Sequence, residues 1–374
     1  MLPLHLPFIS GKEKEYVAEV IDSGKLSGNG KFTMLCHSYF ETKLGFKKVL
    51  LTNSCTDALE MCALILELEH GDEIILPSYT FVTTANAFYN YGVIPVFCDS
   101  MKDDPNIDPL QMERKITSRT KAIVVMHYAG ISCEMEQILA IAKKHSLYVI
   151  EDSALGLGST YNKKPLGSLG DLATFSFHET KNISCGEGGL LVINNEKLIQ
   201  KAEIIWEKGT NRAAYLRGEF NKYEWISKGS SFLTSEIHAA FLFGQLQNFD
   251  YIQLKRNEIW NTYQKAFEGF KKITLSNPGS NKEVNGSVFH FIFDEPANKE
   301  TFIQFMNSHH ITVSSHYRCL HSSNFGKSKF KCAKLINCEK IESTLIRFPI
   351  YVSLQFEQQQ LIIKKTLDFF KAIE

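Results

Sequence analysis

The chain has 374 residues, 44% of them hydrophobic and 22% charged, with 41 basic side chains against 41 acidic ones. That length exceeds a single typical core and predicts two domains, while the balanced charge excludes a general affinity for nucleic acid or an anionic membrane. No run approaches the roughly 18 apolar residues of a membrane span, and the apolar start is short, broken by Pro3, His5 and Pro7 and without a basic leader, so a cytoplasmic location is expected.

From residue 49 the chain alternates short apolar runs with amphipathic stretches. Residues 49–51, 73–76, 94–98, 121–125 and 148–150 read as strands, and helices are expected near 56–68, 80–91, 109–116 and 133–145. Apolar runs without polar alternation, separated by helices, predict an α/β fold with a mostly parallel sheet covered on both faces. In such sheets ligands sit beyond the carboxyl ends of the strands. Asn53-Ser-Cys-Thr56, Pro77-Ser-Tyr-Thr-Phe81, His127-Tyr128 and Asp152 all fall at such ends. A strand at 190–193 and a helix reaching about Glu207 follow, then a basic and aromatic stretch over 208–228. Residues 234–267 have helical spacing (Ile237, Phe241, Leu246, Phe249), and a turn-rich passage over 276–281 leads into a smaller α+β part with a strand near 289–293 and helices near 298–309 and 356–371. Nine scattered cysteines with no C-x-x-C pair predict a reducing compartment and neither a disulfide framework nor a zinc site.

The chemistry concentrates around Lys181, in Ser176-Phe-His-Glu-Thr-Lys-Asn182 just before the glycine-rich Cys185-Gly-Glu-Gly-Gly189. Upstream, the strand Tyr148-Val-Ile-Glu-Asp152 ends on two carboxylates. A lysine in a polar turn and an acid at a strand end are the minimal kit for pyridoxal 5′-phosphate: the amine bonds the cofactor, and the acid holds the proton on its ring nitrogen. Asn53-Ser-Cys-Thr-Asp-Ala-Leu59 follows a strand and opens a helix, so its free amides with the Ser54 and Thr56 hydroxyls form an anion site suited to a phosphate ester. The same residues also suit plain helix capping. Ser176 offers a further hydroxyl, and Phe81 an aromatic face for stacking, worth about 1 kcal/mol beyond area burial. No G-x-G-x-x-G follows the first strand, which argues against a dinucleotide-dependent oxidoreductase.

In combination these motifs resemble the sugar-nucleotide aminotransferases of the DegT family over nearly the whole chain, from Ser23-Gly-Lys-Leu-Ser-Gly28 to Arg347-Phe-Pro-Ile-Tyr351. Within it, Val125-Met-His-Tyr-Ala-Gly130, Glu207-Lys-Gly-Thr-Asn-Arg212 and Gly229-Ser-Ser-Phe232 look closest to the transaminases that make dTDP-4-amino-4,6-dideoxyhexoses of the galactose type. The resemblance implies the type I fold of pyridoxal-phosphate enzymes, with a large domain over 1–250 built on a seven-stranded type of sheet and a small α+β domain over 251–374. It implies Lys181 as the cofactor lysine, Asp152 as the partner of the ring nitrogen and Phe81 as the stacking ring. Cys55 (through its amide), Thr56 and Ser176 would hold the phosphate, and Ser231 would reach the site of a partner subunit in a homodimer. No metal is implied. The implied reaction moves an amino group from glutamate to dTDP-4-oxo-6-deoxy-D-glucose, with a 3-keto sugar nucleotide as the alternative acceptor or a catalytically weak relative as the alternative protein.

Four positions depart from the family pattern: Leu155 stands where Gln or His is usual beside the cofactor ring, Gly229-Ser-Ser-Phe-Leu233 replaces Gly-Tyr-Asn-Tyr-Arg, His238 replaces Gln, and His316-Tyr-Arg-Cys-Leu-His321 carries Arg-Cys in its middle. A nucleotide diphosphate needs cations at the pocket mouth, and Lys208, Arg212, Arg217, Lys222 and Arg318 are the candidates.

Overall fold

Seven strands form the central sheet of the structure, a computed structural model that describes residues 1–373. They are β1 (Val49–Thr52), β2 (Glu73–Pro77), β3 (Ile94–Cys98), β4 (Thr120–Met126), β5 (Tyr148–Asp152), β6 (Leu172–Ser176) and β7 (Gly189–Ile193). Their order across the sheet is β1-β7-β6-β5-β4-β2-β3, and β7 alone runs against its neighbours. The six strands of one direction are joined by crossovers, which bring their carboxyl ends to a single edge of the sheet.

Apolar side chains point to both faces, as the unbroken runs predict. Leu50, Ile74, Leu76, Val124, Ile150 and Leu172 pack on one face with the helix Cys55–Ile65. On the other face, Val49, Leu51, Ala173 and Phe175 meet the helices Lys31–Ser38 and Glu236–Leu246, while Ile75, Ile123, Val125 and Val149 meet Met135–His145. A separate aromatic core lies further along the chain. There β8 (Ile273–Leu275), β9 (His290–Phe293) and β10 (Leu345–Arg347) form an antiparallel sheet, and Phe289, Phe291, Phe293, Phe302 and Phe348 are all buried. The N-terminus is tied to this part: the Leu2 amide donates to the His310 carbonyl at 2.7 Å.

The strands expected from sequence are present within a residue or two. The structure adds β6, which the sequence reading passed over, and the helices Lys12–Ser23 and Lys31–Ser38. The helical stretch over 234–267 is two helices, Glu236–Leu246 and Phe249–Phe267, separated at Asn248, whose carbonyl starts the second ladder by accepting from the Ile252 amide.

Strand alternation separates the two acids at the end of β5. Asp152 points to the face that carries Ile150, and Glu151 to the opposite one. There Glu151 is wholly buried, accepts from the amides of Gly167, Leu169 and Gly170 at 2.7–2.9 Å, and meets His127 Nε2 at 3.0 Å. His127 Nδ1 accepts from the Cys133 amide, so the ring is the tautomer whose Nε2–H donates to Glu151. Glu151 therefore folds the loop after β5 and is not part of the chemistry. Replacing it with Ala should cost about 3 kcal/mol or more in a denaturant titration, because three amides and the His127 N–H lose their charged acceptor.

Candidate active site

At the carboxyl edge of the sheet lies a cavity of about 810 Å³. Asp152 enters from β5, Ser176 from β6, Cys55 and Thr56 from the helix after β1, and Phe81 from the turn after β2. The register explains their common direction: Thr174 of β6 is paired with Asp152, so Asp152, Thr174 and Ser176 share the face on which the helix Cys55–Ile65 packs.

That helix presents its N-terminus to the cavity. Ser54 is its N-cap, with Oγ accepting from the Asp57 amide at 3.0 Å, so this hydroxyl serves the helix and leaves the anion role to the Cys55 and Thr56 amides and the Thr56 hydroxyl. The Cys55 thiol turns inward to Thr174 Oγ1 at 3.5 Å, and burial pushes its pKa up. The start of β7 crosses close behind. A Cβ on Gly189 would lie 2.3 Å from the Ser54 carbonyl carbon and 2.5 Å from the Cys55 nitrogen, so only glycine lets the turn keep its place.

Lys181 sits in the connection between β6 and β7, and backbone bonds hold that connection in shape. The Phe177 amide donates to Gly188, Glu179 to Gly186, Cys185 to Phe177 and Lys181 itself to His178, at 2.8–2.9 Å. Burial lowers the Lys181 pKa; the Arg347 charge adds to this, with Cys55 and Asp152 opposing it. Asp152 is 4% exposed, accepts from Thr84 Oγ1 at 2.7 Å and from the Ala154 amide at 3.2 Å, and is raised chiefly by burial, with these hydrogen bonds opposing. An acid so enclosed is most stable beside a cation, and the arrangement suits a protonated ring nitrogen.

Aromatic rings close one side. Phe81 is 54% exposed, and its ring centroid lies 6.3 Å from that of Tyr317. Tyr317 is stacked on His316 at 3.7 Å, and His316 Nδ1 is 2.9 Å from the Tyr128 hydroxyl. Burial, helped by the charges of Arg347 and Lys181, holds His316 well below the usual histidine range. Leu155, the departure next to Asp152, does line the cavity.

A second cavity of about 200 Å³ adjoins the first, sharing Lys181, Leu155, His316 and Arg347 with it. Arg256 lies on its wall, 2% exposed, with its guanidinium donating to the Gly286 and Ser287 carbonyls. Burial pushes the Arg256 pKa down to about 9. Arg347 donates to Ser314 Oγ and the Ser315 carbonyl. Among the described residues neither arginine has an acid partner. Asn182 Oδ1 and Ser287 Oγ, also at this cavity, are buried without a hydrogen-bond partner. Sequence reasoning missed Thr84, Arg256 and this use of Arg347; a threonine one turn past Phe81 was the one local signal.

Of the five candidate cations, only Arg318 lines the large cavity. Arg212 pairs with Glu207 at 3.3 Å, Arg217 with Glu203 and Glu219, Lys222 with Glu224, and Lys208 lies 3.9 Å from Glu207. Ser231 is exposed and stands off the cavity, its carbonyl accepting from Asn53 Nδ2 at 3.2 Å.

Pyridoxal 5′-phosphate fits the residues present: an amine on the cavity wall at Lys181, a buried carboxylate at Asp152, and a helix N-terminus held in place by the side-chain-free Gly189. Comparison with known proteins agrees. Residues 7–366 match the DegT/DnrJ/EryC1/StrS aminotransferase family. The chain is 32% identical over 382 aligned positions to the spore coat polysaccharide biosynthesis protein SpsC of Bacillus subtilis (strain 168), covering 100% of this chain and 98% of that one. Among solved structures it is similar to Helicobacter pylori PseC, an aminotransferase involved in the biosynthesis of pseudoaminic acid, with 30% identity, a TM-score of 0.91 and 99% of each chain covered. The aminotransferase TlmJ of Streptoalloteichus hindustanus shares the fold, with a TM-score of 0.92 at 23% identity over 100% of both chains. The chain belongs to the DegT/DnrJ/EryC1/StrS aminotransferase family, whose members are sugar aminotransferases that depend on pyridoxal 5′-phosphate.

Proposed function

We propose that this protein transfers the amino group of glutamate to dTDP-4-oxo-6-deoxy-D-glucose, giving a 4-amino-4,6-dideoxy sugar nucleotide for surface polysaccharide. The observation that carries the reading is Lys181, which stands between a large cavity and a small arginine-lined one and so faces two differently built binding sites. The large cavity has room for a sugar, with Arg318 at hand for a diphosphate. The small one places Arg256, Arg347 and the buried Ser287 hydroxyl around a space suited to a compact dicarboxylate, with the free Asn182 oxygen as an acceptor for an ammonium. The names of SpsC and PseC support a place in making surface or acidic sugars.

Cys55 (amide), Thr56 and Ser176 would hold the cofactor phosphate, Phe81 would cover the ring, Asp152 would face its nitrogen and Lys181 would carry it. When bound, pyridoxal 5′-phosphate supplies an aldehyde for the amine and a ring that withdraws electrons from it. Lys181, once released by the incoming amine, is the base that takes the proton from the donor carbon, and its lowered pKa favours the neutral form that this needs. Thr84 keeps the Asp152 carboxylate oriented, and the rings of Phe81, Tyr317 and His316 exclude water from one side. Arg347 is placed to receive the carboxylate next to the reacting carbon. The division of the chain into parts over 1–250 and 251–374 belongs to the same reading, supported by the separate aromatic core. So does a homodimer whose partner subunit supplies Ser231, supported by that residue's distance from its own cavity and by the exposed Tyr223, Trp225 and Ile226 nearby.

Incubation with glutamate and a panel of 4-keto and 3-keto sugar nucleotides should release 2-oxoglutarate fastest with the dTDP-4-keto-6-deoxyhexose, the product being read by NMR. Preference for a 3-keto or UDP-linked acceptor would overturn the substrate while keeping the reaction class. In the same assay Arg347→Met should raise KM for glutamate at least tenfold, the roughly 1.4 kcal/mol or more of a lost charged hydrogen bond, and raise KM for the sugar nucleotide less.

Lys181→Ala should still bind the cofactor through the phosphate site but lose turnover by several orders of magnitude, since tether and base go together. Borohydride reduction of the wild-type holoenzyme should label Lys181, and a label on another lysine sinks the assignment. Asp152→Asn should keep that label and lose turnover.

Mixing the inactive Lys181→Ala chain with an inactive Ser231 variant should restore part of the activity through mixed dimers. A fully active monomer in light scattering under assay conditions rules the shared site out.

A further inference from the structure

Cys319 and His321 flank Leu320, in the segment whose Tyr317, Arg318 and Leu320 wall the large cavity, and Cys338 lies on the helix Ile336–Thr344. All three side chains are buried, and their two sulfurs and one imidazole nitrogen all lie within 4.8 Å of one another. We propose that Cys319, His321 and Cys338 form a three-ligand site for a zinc-type divalent cation. This goes beyond the transaminase reading and does not rest on it.

The donor set favours this class of ion. Two thiolates and an imidazole suit zinc and discriminate against magnesium or calcium, which take oxygen. With Zn–S near 2.3 Å and Zn–N near 2.0–2.1 Å, tetrahedral ligand atoms stand roughly 3.5–3.8 Å apart, so side-chain shifts of about 1 Å or less close the site from the present spacing. The surroundings already orient the ligands. His321 Nδ1 is 2.6 Å from Ser78 Oγ, which leaves Nε2 to the metal, and a ligating histidine characteristically donates its other N–H to such an oxygen. Glu339 Oε1, 3.1 Å from Nε2, is the acceptor that a metal at this nitrogen would displace. Glu342 Oε2 accepts from the Cys319 amide at 2.8 Å and fixes the backbone that carries that thiol. Binding releases the two thiol protons to solvent, and the two thiolates then balance the dication.

Two buried thiols side by side could instead be a disulfide pair. The imidazole in the same cluster, oriented by Ser78, is what a disulfide would not require. The ligands come from two segments with no C-x-x-C spacing, which is why sequence alone predicted no zinc site. A bound ion would fasten the cavity wall to the helix Ile336–Thr344 and, through Ser78, to the turn that carries Phe81.

The full-length protein, purified from zinc-supplemented medium without chelator, should contain about one zinc per chain by elemental mass spectrometry. Cys338→Ser and Cys319→Ser should each lose it while retaining the far-ultraviolet circular dichroism of the wild type. Cobalt(II) added to metal-free wild-type protein should give the near-ultraviolet absorption of thiolate-to-cobalt charge transfer, a readout that needs no variant to fold. Zinc no higher than in the Cys338→Ser protein, with no cobalt–thiolate band, overturns the proposal. Loss of two titratable thiols on mild oxidation, without metal, also overturns it and makes the pair a redox element instead.

Discussion

Asp152 and Lys181 lie deep at the carboxyl edge of the sheet, and burial works against the charged form of both. An acid in such a place is costly unless a cation or hydrogen bonds offset it. Thr84 and the Ala154 amide supply the hydrogen bonds, and β5 holds the carboxylate where it cannot turn back to solvent. Much of the surrounding structure serves this arrangement. Glu151 on the opposite face gathers the loop after β5, the helix Cys55–Ile65 turns its amides toward the same space, and Gly189 keeps β7 from pushing that helix away.

The two cavities differ as their ligands would require. The larger is walled by Phe81, Tyr317 and Leu320, with Arg318 on its wall and Arg347 shared with its neighbour. The smaller carries Arg256 and Arg347 among apolar side chains, and the buried Ser287 hydroxyl there has no partner within the protein. Lys181 touches both, so one amine can serve two ligands that never need to be present together.

The sheet was legible because strands buried on both faces leave unbroken apolar runs, as in Val49–Thr52, expected over 49–51. β6 was passed over because Leu172-Ala-Thr-Phe-Ser176 mixes small and polar residues, Ser176 being turned to the cavity and Thr174 to the Cys55 thiol. Lys181, Asp152, Phe81 and Thr56 announced themselves through local motifs at strand ends. Arg256, Arg347 and the Cys319–His321–Cys338 cluster did not, since each acquires its setting from segments distant in sequence. The cations over 208–222 misled for the opposite reason: nearby Glu203, Glu207, Glu219 and Glu224 already engage them.

The return strand β7 has a consequence for how this site can vary. Its pairing sets Ser176 opposite Gly189, so the connection that carries Lys181 begins and ends at adjacent points of the sheet interior. Removing or adding one residue there would either break the ladder or turn β7 over, sending Leu190 and Leu191 to each other's faces. The backbone bonds of Phe177, Glu179, Lys181 and Cys185 tie this span tightly between its two ends.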